Sequence, residues 1–226
     1  MWCRIWAMEN EKLVYLLSPV RQVTPNQARE IAEHAEKLNN EGVRLFNPVE
    51  DAPQDDETGF NIVMAELSFL HRAAREGGRV DILWNAGGTP SEGSRVDLGM
   101  ILALELDFNL VNTFNEETPT GPQMGLQIIK EAMAKNLANS PHLREVVFTL
   151  EEIRRSSEVI IDWDIEMTGI DQEWQRIYLG LVLGCMAQMP NLKIKLGKLY
   201  GIDPVDKKSY IKVIKEIEKN GGVSSV

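Results

Sequence analysis

The stretch WNAGGTPSEGSRVDLGMILAL, Trp84 to Leu104, concentrates residues that could do chemistry. Two acids, Glu92 and Asp97, stand among the hydroxyls of Ser91 and Ser94 and the glycines Gly87, Gly88 and Gly93. Glycines let backbone approach a ligand closely, and a helix start offers unpaired N–H groups to a phosphate or a sugar hydroxyl. Carboxylates in such a setting serve as nucleophiles or as general acids and bases. Asp97 lies about one turn into VDLGMILALEL, which is apolar nearly all round and therefore reads as a buried helix. An acid there needs a partner or a task. The plain alternative is helix-start chemistry alone. Thr89-Pro90-Ser91-Glu92 is a capping box, with Thr as N-cap, Pro first and Glu third, and Ser94-x-x-Asp97 fits the same template. The spacing is not G-x-G-x-x-G, and no Lys follows as in a P-loop, which argues against dinucleotide and triphosphate binding.

No other residue set competes. His34, His71 and His142 have no metal-ligand spacing, and Cys3 and Cys185 are too far apart in sequence to suggest a disulfide framework or a metal pair. G-x-S-x-G, H-E-x-x-H and paired C-x-x-C motifs are all missing from the sequence. No metal and no cofactor is expected.

The elements that must hold these residues follow from the apolar pattern. LVYLLSP, Leu13–Pro19, reads as a buried strand ended by proline. Thr24-Pro25 opens a helix to about Asn40, with Thr as N-cap and Gly42 closing it. VRLFNP is predicted as a second strand, VEDAPQDDETG as an acidic loop, and Phe60 to about Arg75 as a helix stopped by Gly77-Gly78. RVDILW and FNLVNTF give strands on either side of the Asp97 helix. This alternation predicts an α/β fold, a mostly parallel Rossmann-like (flavodoxin-like) sheet with helices on both faces. Ligands in such sheets lie beyond the carboxyl ends of the strands. The loops Ser18–Thr24, Asn47–Gly59 and Asn85–Ser94 should therefore converge, which makes Ser18, Arg21, Asn85, Gly88, Ser91, Gly93 and Ser94 candidate ligand contacts.

Residues 1–114 form this first unit, and 115–226 a C-terminal α/β extension. In the extension we expect a helix over about Leu126–Asn139, a strand over Glu145–Leu150, a strand at NLKIKL and a last amphipathic helix starting at Asp203-Pro204. VIIDWDIEMTGIDQEWQRIYLGLVLG can be laid on VDILWNAGGTPSEGSRVDLGMILAL, with Glu173 on Glu92, Arg176 on Arg95 and Gly180 on Gly99. Trp163 reaches Trp84 only with a gap of two residues. Either the extension is a degenerate repeat packed on the same sheet, or two α/β units share a general pattern. A repeat would place Tyr178 where Asp97 stands, and a phenol that ionises near pH 10 is a poor nucleophile at neutrality.

Composition bounds the rest. Of 226 residues, 43% are hydrophobic and 26% charged, which is ordinary for a globular chain with a sizeable core. The net charge of −10 disfavours nucleic acid and anionic membrane partners. MWCRIWAM has too short an apolar run for a secretory signal, and no run approaches the roughly 18 residues of a membrane span. A soluble, cytoplasmic protein is expected.

The chain resembles the nucleoside 2-deoxyribosyltransferase-like superfamily, which includes nucleotide N-glycoside hydrolases. The likeness rests on VYLLSP, on FNIVMAELSFLHRAAREGGRVDILW and on SEGSRVDLGMILAL, and covers about Leu13–Thr113. It implies cleavage or transfer at an N-glycosidic bond of a nucleoside or nucleotide, through a carboxylate that attacks the anomeric carbon. Asp97, in Asp97-Leu98-Gly99, stands at that carboxylate's position, where the family has Glu. The resemblance also points to Glu66 as an acid near the base or sugar. In the mechanism we expect, Glu92 or Asp81 is a second acid that positions hydroxyls or shuttles a proton. It implies a homodimer or higher homo-oligomer. Two other readings stand beside it: a protein that binds a nucleotide without turning it over, and a scaffold with a vestigial site.

Overall fold

The computed structural model describes residues 12–20, 23–53, 55–56, 58–85, 92–114, 123–134, 137–201 and 210–221. The candidates Arg21, Gly88 and Ser91, and the Thr89-Pro90 part of the capping box, lie outside these residues.

Strands β1 (Leu13–Leu17), β2 (Arg44–Phe46), β3 (Arg79–Asn85) and β4 (Asp107–Phe114) form an all-parallel sheet in the order β2-β1-β3-β4. β1 is buried at every position and β3 at all but its first, as expected of central strands covered on both faces. Helix α1 (Pro25–Asn40) covers one face, packing Ile31 and Ala35 against Leu16, Leu83 and Phe114. Its start is fixed by Thr24, whose side chain accepts from Gln27 N while the Gln27 side chain caps Thr24 in return. Helices α3 (Phe60–Glu76) and α4 (Glu92–Ala103) join the larger core on the other face, with Tyr15, Leu17, Ile82 and Trp84. The fold is thus the Rossmann-like α/β arrangement predicted. The acidic loop contains one short helix, α2 (Pro48–Asp51), capped by Asn47.

The extension supplies α5 (Met124–Ala134), a 3-10 turn at Leu137–Asn139, α6 (Pro141–Arg155), β5 (Glu158–Asp164), α7 (Gly169–Gln188), β6 (Lys193–Tyr200) and α8 (Tyr210–Lys219). Two expectations are corrected here. The strand expected at Glu145–Leu150 lies inside α6, whose buried residues Leu143, Val146, Leu150 and Ile153 recur at helical spacing. The extension also does not continue the first sheet: among the described residues, β5 and β6 form their own two-stranded parallel sheet. The physical reason is that the units join through helices, α4 lying along α7 in the most extensive helix contact of the fold.

That contact is reciprocal. A Cβ on Gly99 would overlap the carbonyl oxygen of Ile177, and one on Gly180 would overlap that of Val96, so only glycine permits the crossing. Arg95 pairs with Glu173 at 2.8 Å, and Arg176 pairs with Glu92 at 2.6 Å. The strand pairs match as well. β3–β4 breaks register between Ile82 and Leu83, and β5–β6 breaks it between Ile161 and Trp163.

Candidate functional site

The core of the site is a buried pair of carboxyls beside β1, one of the sheet's two central strands. Helix α3 buries Val63, Glu66, Leu67, Leu70 and Ala73 on one stripe, so its packing carries the Glu66 carboxyl inward with the apolar side chains. Helix α4 is buried on nearly every side, and Asp97 cannot avoid the interior. Asp97 is 4% exposed and Glu66 6%. The Tyr15 hydroxyl on β1 donates to Asp97 Oδ2 at 3.2 Å, while Asp97 Oδ1 is buried without a hydrogen-bond partner. Ser18 Oγ, just past the end of β1, is buried and unpartnered too.

Burial drives the electrostatics. It pushes Asp97 up to about 7, against the opposing pull of hydrogen bonds from Tyr15 and Glu66. Burial, followed by the charge of Asp97, holds Glu66 well above the usual carboxyl range. Burial, then Asp97 and Glu66, likewise raises Tyr15. Two carboxyls this close in a buried site do not both ionise freely, and one of the pair keeps its proton when the other loses it. Such a pair can present one carboxylate as a nucleophile while its neighbour keeps a proton to give.

An aromatic wall adjoins it. The Tyr15 ring stacks on Phe46 at 5.5 Å and lies 6.3 Å from Phe69. From the extension, Tyr210 opens α8 with its ring 6.1 Å from that of Trp163. Burial raises Tyr210, with further upward pushes from Asp97, Glu66 and Glu92 and a downward one from Arg176. The second unit thus reaches the acid pair.

The structure brings together some of the sequence-predicted residues and separates others. Asp97 and Glu66 meet. Glu92 does not form the acid pair with Asp97; Arg176 holds it in an ion pair, and its side chain is 46% exposed. Ser94 and Gly93 occupy the first turn of α4, and Asn85 ends β3 with its carbonyl accepting from Arg95. Asp81 is corrected. Successive strand residues point to opposite faces, and Asp81 points toward α1, where it binds Arg79 at 3.0 Å, His34 at 3.0 Å and Asn109 at 3.1 Å. Those three hydrogen bonds hold its carboxyl low despite burial. Sequence reasoning missed Tyr15, Arg176 and Tyr210. Tyr15 left a signal as the one hydroxyl inside the apolar run LVYLL, where it needs a buried partner, and Arg176 left one in its overlay on Arg95, which did not show that it would meet Glu92.

Among the described residues, no group of His, Cys, Asp and Glu is arranged to hold a metal ion, and no helix is long and apolar enough to cross a membrane. Fold and site together define a Rossmann-like α/β protein with a buried acid pair beside a central strand. No family model, curated protein or solved structure matches the chain.

Proposed function

We propose that this protein breaks the N-glycosidic bond of a nucleoside or nucleotide, with Asp97 as nucleophile and Glu66 as proton holder. The observation that carries the reading is Asp97 itself: a fully buried carboxyl, tuned to about 7, with one oxygen fixed by Tyr15 and the other without a partner. The free oxygen attacks C1′ as the bond to the base breaks, and the electron pair leaves with the base nitrogen, which takes the proton from Glu66. Glu66 then draws a proton from the water that attacks C1′, and Asp97 departs as a carboxylate. Two displacements retain configuration at the anomeric carbon. Where a second base takes the place of water, the same intermediate gives transfer. The aromatic cluster of Tyr15, Phe46 and the tilted Phe69 suits a planar base, and the buried Ser18 hydroxyl suits a polar group of the sugar or its phosphate. The acid stands on the deeply buried α4 and is held by the Tyr15 hydroxyl.

The test is incubation with the common nucleosides and nucleoside monophosphates, with chromatography of free base. Base release is expected from the native chain and a loss of roughly 10³-fold or more in Asp97→Asn. Ligand binding without base release would favour the binding-protein reading, and full activity in Asp97→Asn would end the catalytic one.

A further inference from the structure

The two units meet as the halves of a two-fold interface do, each side giving the other the same groups: Gly99 against Gly180, Glu92 to Arg176, Glu173 to Arg95. Isologous dimers make contacts of this kind between copies, residue i to j and j to i. Here both sides lie in one chain, and the two halves of the contact have diverged.

One half is closed. Arg95 is 2% exposed, donates from Nε and Nη2 to Glu173 Oε1 and from Nη2 to the Asn85 carbonyl, and lies 4.6 Å over the Trp84 ring. The other Glu173 oxygen accepts from Gly125 N at 3.1 Å. The opposite half is open. The Glu92 side chain is 46% exposed against 10% for Glu173. Arg176 donates from Nη2 to Glu92 and from Nη1 to the Gln172 carbonyl, and its Nε is buried with no partner. This half shares the buried Tyr210 as a neighbour with the acid pair. Tyr178 stands in the second unit where Asp97 stands in the first. The buried stripe Leu143, Val146, Leu150, Ile153 of α6 matches Val63, Glu66, Leu70, Ala73 of α3, with Val146 at the place of Glu66.

We propose that the α4 face is a dimerisation surface whose partner is carried in the same chain. The second unit has exchanged a site of its own for the Arg95–Glu173 latch, and its Arg176, together with Glu92, reaches the Asp97 site through Tyr210, which feels the charges of all four groups Asp97, Glu66, Glu92 and Arg176. One chain then holds both sides of the contact.

Light scattering on the full chain is expected to give a single-chain particle of 25.5 kDa. A stable two-chain particle would overturn the proposal, because a partner held in cis leaves α4 no second copy to bind. The two arginines then serve as a matched pair, read by carboxyl carbon-13 NMR of Asp97 and by thermal melting. Arg176→Gln leaves Glu92 unneutralised beside the site, and is expected to raise the Asp97 midpoint by about half a pH unit while lowering the Tm by a few degrees. Arg95→Gln strands the buried Glu173, and is expected to lower the Tm by roughly 10 °C with the Asp97 midpoint unchanged. Arg95→Lys, which keeps the charge, replaces it if Arg95→Gln does not fold. Equal midpoint shifts at the two positions, or none in Arg176→Gln, would overturn the proposal. None of these readouts involves turnover, so they fail or succeed separately from the glycosidic chemistry.

Discussion

The Tyr15 hydroxyl reaches across from β1 to α4 and is the hydrogen bond that holds Asp97 in place. It also lowers the carboxyl against the upward push of burial. Tyr15→Phe removes one oxygen and keeps the ring that stacks on Phe46. With the donor gone, Asp97 titrates higher, and less of it is ionised at neutral pH. The acidic limb of the pH–rate profile for base release is therefore expected to move to higher pH, with activity at pH 7 down roughly 10-fold. A profile that keeps its position would show that Tyr15 does no more than pack. The residue scale also separates three acids that look alike in sequence. Asp81 meets two basic groups and an amide and stays low; Glu92 meets a guanidinium at the protein's edge; Glu66 is buried beside another acid, and burial and that acid raise it against the pull of the Tyr15 hydroxyl.

At the scale of elements, the α4–α7 contact sets the architecture. Because each glycine faces the other helix's backbone, even a methyl group at either position forces the helices apart. Gly180→Ala is expected to destabilise the protein by about 3 kcal/mol, measured by urea unfolding. Gly99→Ala should do the same, and the double variant should cost less than the two combined, since one displacement relieves both clashes. Full additivity would mean that the positions act separately. The same contact explains the separate β5–β6 sheet. A helix packed backbone to backbone on α4 fixes where its flanking strands lie, and this placement makes a second sheet. The α6 misreading has a simpler origin. Val146, Val147 and Phe148 favour strands locally, but the apolar spacing over Leu143–Ile153 is helical, and burial of that stripe decides.

For the whole molecule, the acid pair is a stability penalty that varies with pH. Asp97 and Glu66 are both raised in the folded state. Below the unfolded value near 4, both states are protonated and the penalty vanishes; it is complete once pH exceeds the folded value, about 7 for Asp97. The stability contributed by Asp97 therefore falls as pH rises from roughly 4 to 7, and Glu66 acts in the same direction. Asp97→Asn removes the penalty and is expected to stabilise the fold at pH 8 by at most roughly 4 kcal/mol, seen as a higher Tm, while changing it little at pH 4. Calorimetry at the two pH values checks this, and a lower Tm at pH 8 would mean that the ionised carboxyl is well paired in the fold. A variant that is more stable and inactive is the signature of a residue kept for function.

The sequence by itself determined the strand and helix order of the first unit, because burial on both faces writes near-continuous apolar runs and burial on one helix face writes a 3.6-residue period. Thr24, Gly77 and the apolar surroundings of Asp97 were legible for the same local reasons. The overlay of Glu173, Arg176 and Gly180 on Glu92, Arg95 and Gly99 was legible too, as a pattern without a geometry. Only the tertiary structure decided which acid meets Asp97. Alternation along RVDILWN puts Asp81 and Ile82 on opposite faces, but it does not say which face receives α1 and which receives α4. Nor does any local pattern bring α3 to α4, or turn the two matched helices into an interface that exchanges ion pairs. Those choices are made by long-range packing, where the energy lies between elements far apart in sequence and leaves no periodic trace within either.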